Sequence, residues 1–263
     1  MSSLTHYPTD TPPINYFKKY IVRYSETGSN GRLTCLNILN YFQDIASDHA
    51  GLLGISALDL YQKKLAWVIH KLQLQINAYP KWDHPIFLST WRYPFRNLYE
   101  LRAFEGKDSD DNVLFTGKCA WVMVQWANKK PVRLNRYMSE ELLNNHIEIA
   151  YDFPVIGPLV EQMWESDIVV KMHHLDFNQH VNNVVYLQWA MENLPMDIQK
   201  RMMPYSANIL FAGDAILGDR LKSSGQCIDH GETFVHQMTS ANSENELTRI
   251  QTQWKAFDYG SLL

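Results

Sequence analysis

Apolar residues fall in two kinds of pattern along this chain. After Thr34 they occur at Leu36, Ile38, Leu39, Tyr41, Phe42, Ile45 and Ala46. That spacing predicts a helix reaching about Ala50, N-capped by Thr34 and apolar around most of its circumference. Such a helix has to be wrapped rather than merely docked on one side. The second pattern is strand-like, with runs at Tyr16–Tyr24, Leu65–Ile76, Ile86–Tyr93, Leu98–Glu105 and Val113–Trp126. Turn clusters separate them, among them Gly28-Ser29-Asn30-Gly31 and Gly106–Asn112.

The second half repeats this order. A helical run from Val181 to Leu194 is followed by strand-like runs at Ile209–Ile216, Arg220–Ser224, Thr233–Ser240 and Leu247–Phe257. An offset of 145 places Asn37 on Asn182, Tyr41 on Tyr186 and Gln43 on Gln188, and an offset of 133 places Leu114 on Leu247 and Trp121 on Trp254. The matching order of elements predicts a duplicated helix-plus-sheet unit. Between the copies, Lys129 to about Asp167 holds Pro131, Pro154, Pro158 and a short helical run, Ser139–His146. The predicted organisation is an N-terminal unit over 1–130, a linker over 131–167 and a C-terminal unit over 168–263.

Composition narrows the function classes. A formal net charge of −4 over 263 residues carries no global basic field, so neither a nucleic-acid partner nor a charged membrane surface is expected. No run approaches the roughly 18 apolar residues of a membrane span. Three widely spaced cysteines, Cys35, Cys119 and Cys227, form no CxxC and suggest no disulfide framework, which fits a reducing, cytoplasmic setting. The polar stretch Met1–Pro13 has no apolar h-region and no arginine, so it reads as neither a signal nor a transit peptide.

The densest polar chemistry is His173-His174-Leu175-Asp176-Phe177-Asn178-Gln179-His180, leading into the second helix. In an extended approach Asp176, Asn178 and His180 would leave the chain on one side. They would be delivered to a helix start, whose unpaired N–H groups and partial positive charge suit a developing oxyanion. The main-chain N–H groups near Val181 and Asn182 are the expected donors. The histidines and Asp176 lack metal-ligand spacing, so no metal and no cofactor is expected.

Leu175–Trp189 (LDFNQHVNNVVYLQW) resembles the active-site segment of acyl-[acyl carrier protein] thioesterases, whose pattern is close to L-D-x-N-x-H-V-N-N-x-x-Y. Asn40–Gly54, Leu65–Trp82 and Ala120-Trp121-Val122-Met123 resemble the family's amino-terminal repeat. The resemblance implies an α+β double hotdog: two tandem units, each with a long central helix wrapped by an antiparallel sheet. It implies hydrolysis of the thioester joining a fatty acyl chain to acyl carrier protein, with Asp176, Asn178 and His180 in the site. Plant relatives supply a further carboxylate from a strand reading roughly Y-R-R-E-C. The counterpart here is Phe211-Ala212-Gly213-Asp214-Ala215, with Asp214 at the glutamate and Ala215 at the cysteine. Water activated by a carboxylate, rather than a cysteine nucleophile, is therefore expected.

On a strand over Asn208–Leu217, Asp214 would share a face with Leu210, Ala212 and Ile216, and partial burial there would raise its pKa toward the range of a general base. The first copy has no such set, since Gly31, Leu33 and Cys35 align with Asp176, Asn178 and His180. Its expected role is to house the acyl chain, with Trp67, Trp91 and Trp121 lining the pocket. An acidic carrier calls for a basic patch, and Lys129, Lys130, Arg133 and Arg136 form the densest one, with Lys63-Lys64 and the pair Arg92 and Arg96 as further candidates. A homodimer is compatible with the sequence. A hotdog acyl-CoA thioesterase and a non-catalytic acyl-binding module are the competing readings.

Overall fold

The Thr34 hydroxyl accepts a hydrogen bond from the N–H of Asn37, which starts helix α1 (Cys35–Leu52) where the sequence predicts it. The computed structural model describes residues 13–229 and 231–257, so the N-terminal stretch to residue 12, read above as leaderless, lies outside the described residues. Before α1 runs β1 (Asn15–Ile21). After it come α2 (Ala57–Gln62), β2 (Leu65–Ile76), β3 (Pro85–Phe95), β4 (Tyr99–Lys107) and β5 (Val113–Gln125). The connecting segment holds α3 (Glu140–Asn144), capped by Ser139. The second half comprises β6 (Trp164–Val169), α4 (Asn183–Glu192), α5 (Met196–Arg201), β7 (Met202–Phe211), β8 (Arg220–Cys227), β9 (Thr233–Ser240) and β10 (Glu246–Ala256). Strand β6 begins inside the stretch that sequence assigns to the linker.

Among the described residues the strands form one antiparallel sheet of ten, in the order β1-β3-β4-β5-β2-β7-β10-β9-β8-β6. Each half contributes five strands in mirrored order, and β2 joins β7 at the centre, Lys71 opposite Leu210 and Gln75 opposite Ser206. The core runs through both halves without a break, from Ile38, Phe42 and Ile45 on α1 to Val184, Tyr186 and Leu187 on α4. Helix α1 lies close to the sheet. Phe42 stacks on Phe104 with centroids 4.2 Å apart and sits over Gly117, where any side chain would collide with its ring.

Matching hydrogen bonds show how the halves correspond. Leu33 N–H donates to the Pro80 carbonyl and Val181 N–H to that of Ala215, each at 2.9 Å; Val22 pairs with His84 as Val170 does with Asp219. The helix caps Thr34 and Asn182 are thus equivalent, 148 residues apart rather than the 145 expected, a shift of nearly one helical turn. The partners of Asp176, Asn178 and His180 become Gly28, Asn30 and Arg32. Tyr186 falls on Ile38, not on Tyr41, and Asp214 falls on Tyr79. The offset of 133 for the last strand holds, since Ala212 N–H bonds Leu247 as Asn77 N–H bonds Leu114.

Two expected roles fail on burial. Trp91 lies on the far face of the sheet, in a cluster with Leu101, Ala103, Ile149 and Tyr151, so it cannot line a cavity beside α1. Arg92 is 1 % exposed and its guanidinium is held by Glu100, which removes it from any docking surface.

His49 and His236 are fully buried, and burial pushes each ring down to about 3. The folded state refuses the proton that the unfolded chain accepts below about pH 6.5. Stability is therefore complete above that pH and declines as pH falls toward 3, by up to about 1.4 kcal/mol per pH unit for each ring. Urea unfolding between pH 7 and pH 4 should show this decline, and His236→Gln should flatten it. An unchanged slope in the variant would exclude His236 as a source.

Candidate active site

The polar segment before α4 is a tight turn rather than the extended approach that the sequence suggests. Asp176 N–H donates to the His180 carbonyl at 2.8 Å, and Gln179 takes a left-handed φ of 63°. One carboxylate oxygen of Asp176 accepts the N–H of Asn178 at 2.8 Å and of His180 at 3.3 Å. Asp176 therefore shapes the turn that presents Asn178 and His180. The Asn178 amide makes no side-chain hydrogen bond among the described residues, which leaves it available to a ligand. Asn182 caps α4 through its side-chain oxygen, which also accepts from Gln43 on α1 at 3.1 Å and ties the two helix systems together.

Asp214 is not on a strand. Strand β7 ends at Phe211, and Gly213 is pressed so close to Leu247 that an added Cβ would lie 2.9 Å from its methyl group. The Asp214 side chain emerges half exposed, at 53 %, instead of packing beside Leu210, Ala212 and Ile216. One of its oxygens, Oδ2, lies 3.1 Å from His180 Nδ1 and accepts from Lys129 Nζ at 2.7 Å. Lys129 Nζ also reaches His180 Nε2 at 3.2 Å. Burial pushes the Asp214 pKa up, but the Lys129 hydrogen bond and the charges of His180 and Lys129 outweigh it and hold the carboxyl below its ordinary value. The expected upward shift is thus reversed. Asp214 stays ionised at neutral pH, and the stability it contributes is lost only as pH falls through its lowered pKa.

The expected oxyanion donors are already engaged. Val181 N–H bonds the Ala215 carbonyl at 2.9 Å, and Asn182 N–H bonds the His174 carbonyl at 2.8 Å. The N–H of Asn183, the first residue of α4, has no partner among the described residues, and Asn183 lines both cavities described below. Sequence reasoning missed Asn183, and it missed Tyr186 as well. Among the described residues the Tyr186 hydroxyl has no well-formed hydrogen bond; it is buried beside the Ala215 main chain in the wall of the larger cavity, where the first half has Ile38. An unsatisfied buried hydroxyl costs about 1–3 kcal/mol, so a polar partner at this wall would be stabilising.

Two cavities meet at Asn178. The larger, about 500 Å³, is walled by Trp67, His70, Tyr99, Lys129, His180, Tyr186 and Asp214. The other, about 180 Å³, runs between α1 and the sheet past Ala46, Ala50, Ile55, Trp67 and Trp121 toward Glu100 and Arg102. Of the basic cluster, Lys130, Arg133 and Arg136 are exposed, while Lys129 is drawn into the site. Among the described residues no group of three or more His, Cys, Asp or Glu side chains is placed to hold a metal ion, and no helix is long and apolar enough to cross a membrane.

The chain is thus an antiparallel α+β protein with a His–carboxylate pair at a helix start, opening on a partly apolar cavity. Residues 13–142 match the acyl-ACP (acyl carrier protein) thioesterase N-terminal domain and residues 158–256 the C-terminal domain. This chain belongs to the acyl-ACP thioesterase family. It is 23 % identical over 261 residues to a chloroplastic palmitoyl-acyl carrier protein thioesterase of Cuphea hookeriana, covering 90 % of this chain and 61 % of that protein. To oleoyl-acyl carrier protein thioesterase 2 of Arabidopsis thaliana it is 29 % identical, over 92 % of this chain and 77 % of the relative. The fold is similar to that of the 12:0-ACP thioesterase from Umbellularia californica, with TM-score 0.84, 18 % identity and coverage of 93 % of this chain and 98 % of that one. An acyl-ACP thioesterase from Bacteroides thetaiotaomicron gives TM-score 0.81 at 18 % identity, covering 92 % and 98 %.

Because Asp176 organises the turn, Asp176→Ala should cost about 1–2 kcal/mol of stability through its lost N–H partners. It should also shift the amide resonances of Asn178 and His180. Asp176→Asn, which keeps an acceptor oxygen, should recover most of both. Unmoved amide resonances in the alanine variant would show that the turn holds without it.

Proposed function

We propose that this chain hydrolyses the thioester of fatty acyl-[acyl carrier protein], releasing free fatty acid and the carrier thiol. The observation that carries the reading is the His180–Asp214 pair beside the unpaired Asn178 amide, at the junction of the two cavities, in a chain of this family. The whole-chain reading is a double hotdog with an N-terminal unit over 1–130, a linker over 131–167 and a catalytic unit over 168–263. The acyl chain would enter between α1 and the sheet past Trp67 and Trp121.

In this mechanism the Asn178 amide holds the attacking water or the thioester carbonyl. Ionised Asp214, with His180 beside it, receives the water proton as oxygen bonds to the carbonyl carbon. The Asn183 N–H, at the positive end of α4, is the donor aimed at the oxyanion, where one good donor is worth about 3 kcal/mol. The C–S bond then breaks and the departing thiolate takes up that proton, handed on from Asp214 through His180, so that both groups return to their starting states. No cysteine takes part. Cys35 and Cys119 are buried, and burial pushes their thiols up to about 12, where almost no thiolate exists at neutral pH.

Release of free thiol from carrier-linked and CoA-linked acyl chains of several lengths tests this reading. His180→Ala and Asp214→Asn should each lower kcat by at least about 100-fold. A variant with all three cysteines changed to serine should stay within about twofold of the native rate. Turnover surviving both the His180 and Asp214 changes would sink the water mechanism, and equal or faster turnover of CoA-linked chains would favour an acyl-CoA thioesterase.

Carrier docking falls to the exposed Lys130, Arg133 and Arg136, with Lys63-Lys64 nearby in sequence to β2. Reversing the three to glutamate should raise KM for the carrier-linked substrate in low salt while leaving kcat unchanged, with the difference shrinking as salt is added. Unchanged KM would remove this cluster from the interface.

A further inference from the structure

We propose that the inner cavity takes an acyl chain whose far end carries a carboxylate, and that Arg102 is the residue that selects it. The proposal rests on the function proposed above and deepens it by naming the class of acyl chain.

The cavity of about 180 Å³ is lined both by Asn178 and Asn183 of the candidate site and by Glu100 and Arg102 of β4. A ligand that fills it meets both sets. Strand β4 alternates: Glu100, Arg102 and Phe104 face α1, while Leu101 and Ala103 join the cluster on the far side of the sheet. Arg102 is only 4 % exposed, so its guanidinium is held away from bulk water, where an ion needs a counter-charge.

That counter-charge is missing. Glu100 is already matched by Arg92, whose Nε donates to Oε1 and whose Nη2 donates to Oε2 at 3.0 Å. Arg102 forms no ion pair among the described residues. Its Nη1 donates to His49 Nδ1 at 3.0 Å and to Thr90 Oγ1 at 3.3 Å, and both partners are neutral. His49 Nε2 meets the Pro13 carbonyl at 2.9 Å, an oxygen that can only accept, so the ring carries its proton there and offers Nδ1 to Arg102. Burial and the Arg102 charge push the ring down to about 3, which keeps it uncharged. The buried set of Arg92, Glu100, Arg102 and His49 therefore carries one net positive charge.

The donors of Arg102 are not used up either. Its Nε and Nη2 make no hydrogen bond among the described residues, and neither is sealed off as the Nε of Arg249 is. The accessible space beside them is the inner cavity. Nε and Nη2 form the edge of a guanidinium that takes two carboxylate oxygens side by side, the same edge by which Arg92 holds Glu100. A methyl end placed there would leave the charge and both donors without a partner, whereas a carboxylate supplies all three. Asp176, the other acid on this wall, is committed to the N–H groups of its own turn.

The test separates binding from turnover. Calorimetry on the native protein with alkyl-pantetheine thioethers, which cannot be hydrolysed, compares carboxylate-ended and methyl-ended chains of matched lengths. At its best length the carboxylate-ended chain should bind at least about tenfold more tightly. Arg102→Met should abolish that preference, and Arg102→Lys, which keeps the charge but loses the fork, should retain part of it. With the corresponding thioesters, kcat/KM should follow the same order. Equal or tighter binding of the methyl-ended chain by the native protein at every length would overturn the proposal, and this comparison needs no variant to fold. A carboxylate preference that survives in Arg102→Met would overturn it too, as would a methionine variant that only accepts longer methyl-ended chains. Thioether binding requires no chemistry, so a native protein that binds in the expected order but releases no thiol would defeat the proposed function and leave the selectivity of the cavity standing.

Discussion

The pairing of β2 with β7 is the constraint on which the site depends. Those strands come from different halves of the chain, and their hydrogen bonds make one sheet of what would otherwise be two. The pairing sets the end of β7 beside the middle of β2, where the His70 ring touches the Phe211 carbonyl. Strand β5 runs on the other side of β2, with Leu65 opposite Gln125. The loops that follow β5 and β7 therefore meet, and Lys129 reaches Asp214. Side chains separated by 85 residues become neighbours through backbone register alone.

Register also explains why the two halves look alike but are not equipped alike. The same main-chain bonds recur around Leu33 and Val181, and the same left-handed residue closes each turn, Gly31 in one copy and Gln179 in the other. On that shared frame the side chains differ. Where the second half has Asp176, His180, Tyr186 and Asp214, the first has Gly28, Arg32, Ile38 and Tyr79. Tyr79 is buried with its hydroxyl bonded to the Pro204 carbonyl, so the corresponding cavity of the first half, about 290 Å³, has a phenol in its wall where the second half has the Asp214 carboxylate. Backbone geometry is conserved by the need to pair N–H and C=O groups, whereas a side chain at a cavity wall is free to change with what the cavity holds.

Charge at the site is arranged for orientation more than for stability. Asp214 and Lys129 are each about half exposed, so their attraction is screened and contributes little to folding. The fully buried charges lie elsewhere. Arg92 and Glu100 face each other beneath α1, and Arg102 bonds His49 and Thr90. Those pairs lie in the first half around the inner cavity, while the Lys129, His180 and Asp214 set is partly exposed at its mouth.

Elements whose cause is local were legible in the sequence. The Thr34 cap, the bounds of β2 and β9, the Ser139 helix start, the order of strands and the 133-residue offset all follow from side-chain period and capping chemistry, which act within a few residues. So was the membership of Asp176, Asn178 and His180 in one segment. What sequence misjudged was set by contacts across the fold. The end of β7 at Phe211 follows from Gly213 packing on Leu247, which frees Asp214 from the strand and exposes it. The engagement of the Val181 and Asn182 N–H groups follows from the neighbouring loop. The near-turn error in aligning the helices arose because Tyr41 and Tyr186 match as letters but not as positions on their frames. The lowered pKa of Asp214 and the place of Lys129 depend on a lysine from the other half. Local propensity names the groups; only the register of β2 against β7 decides which of them share a site.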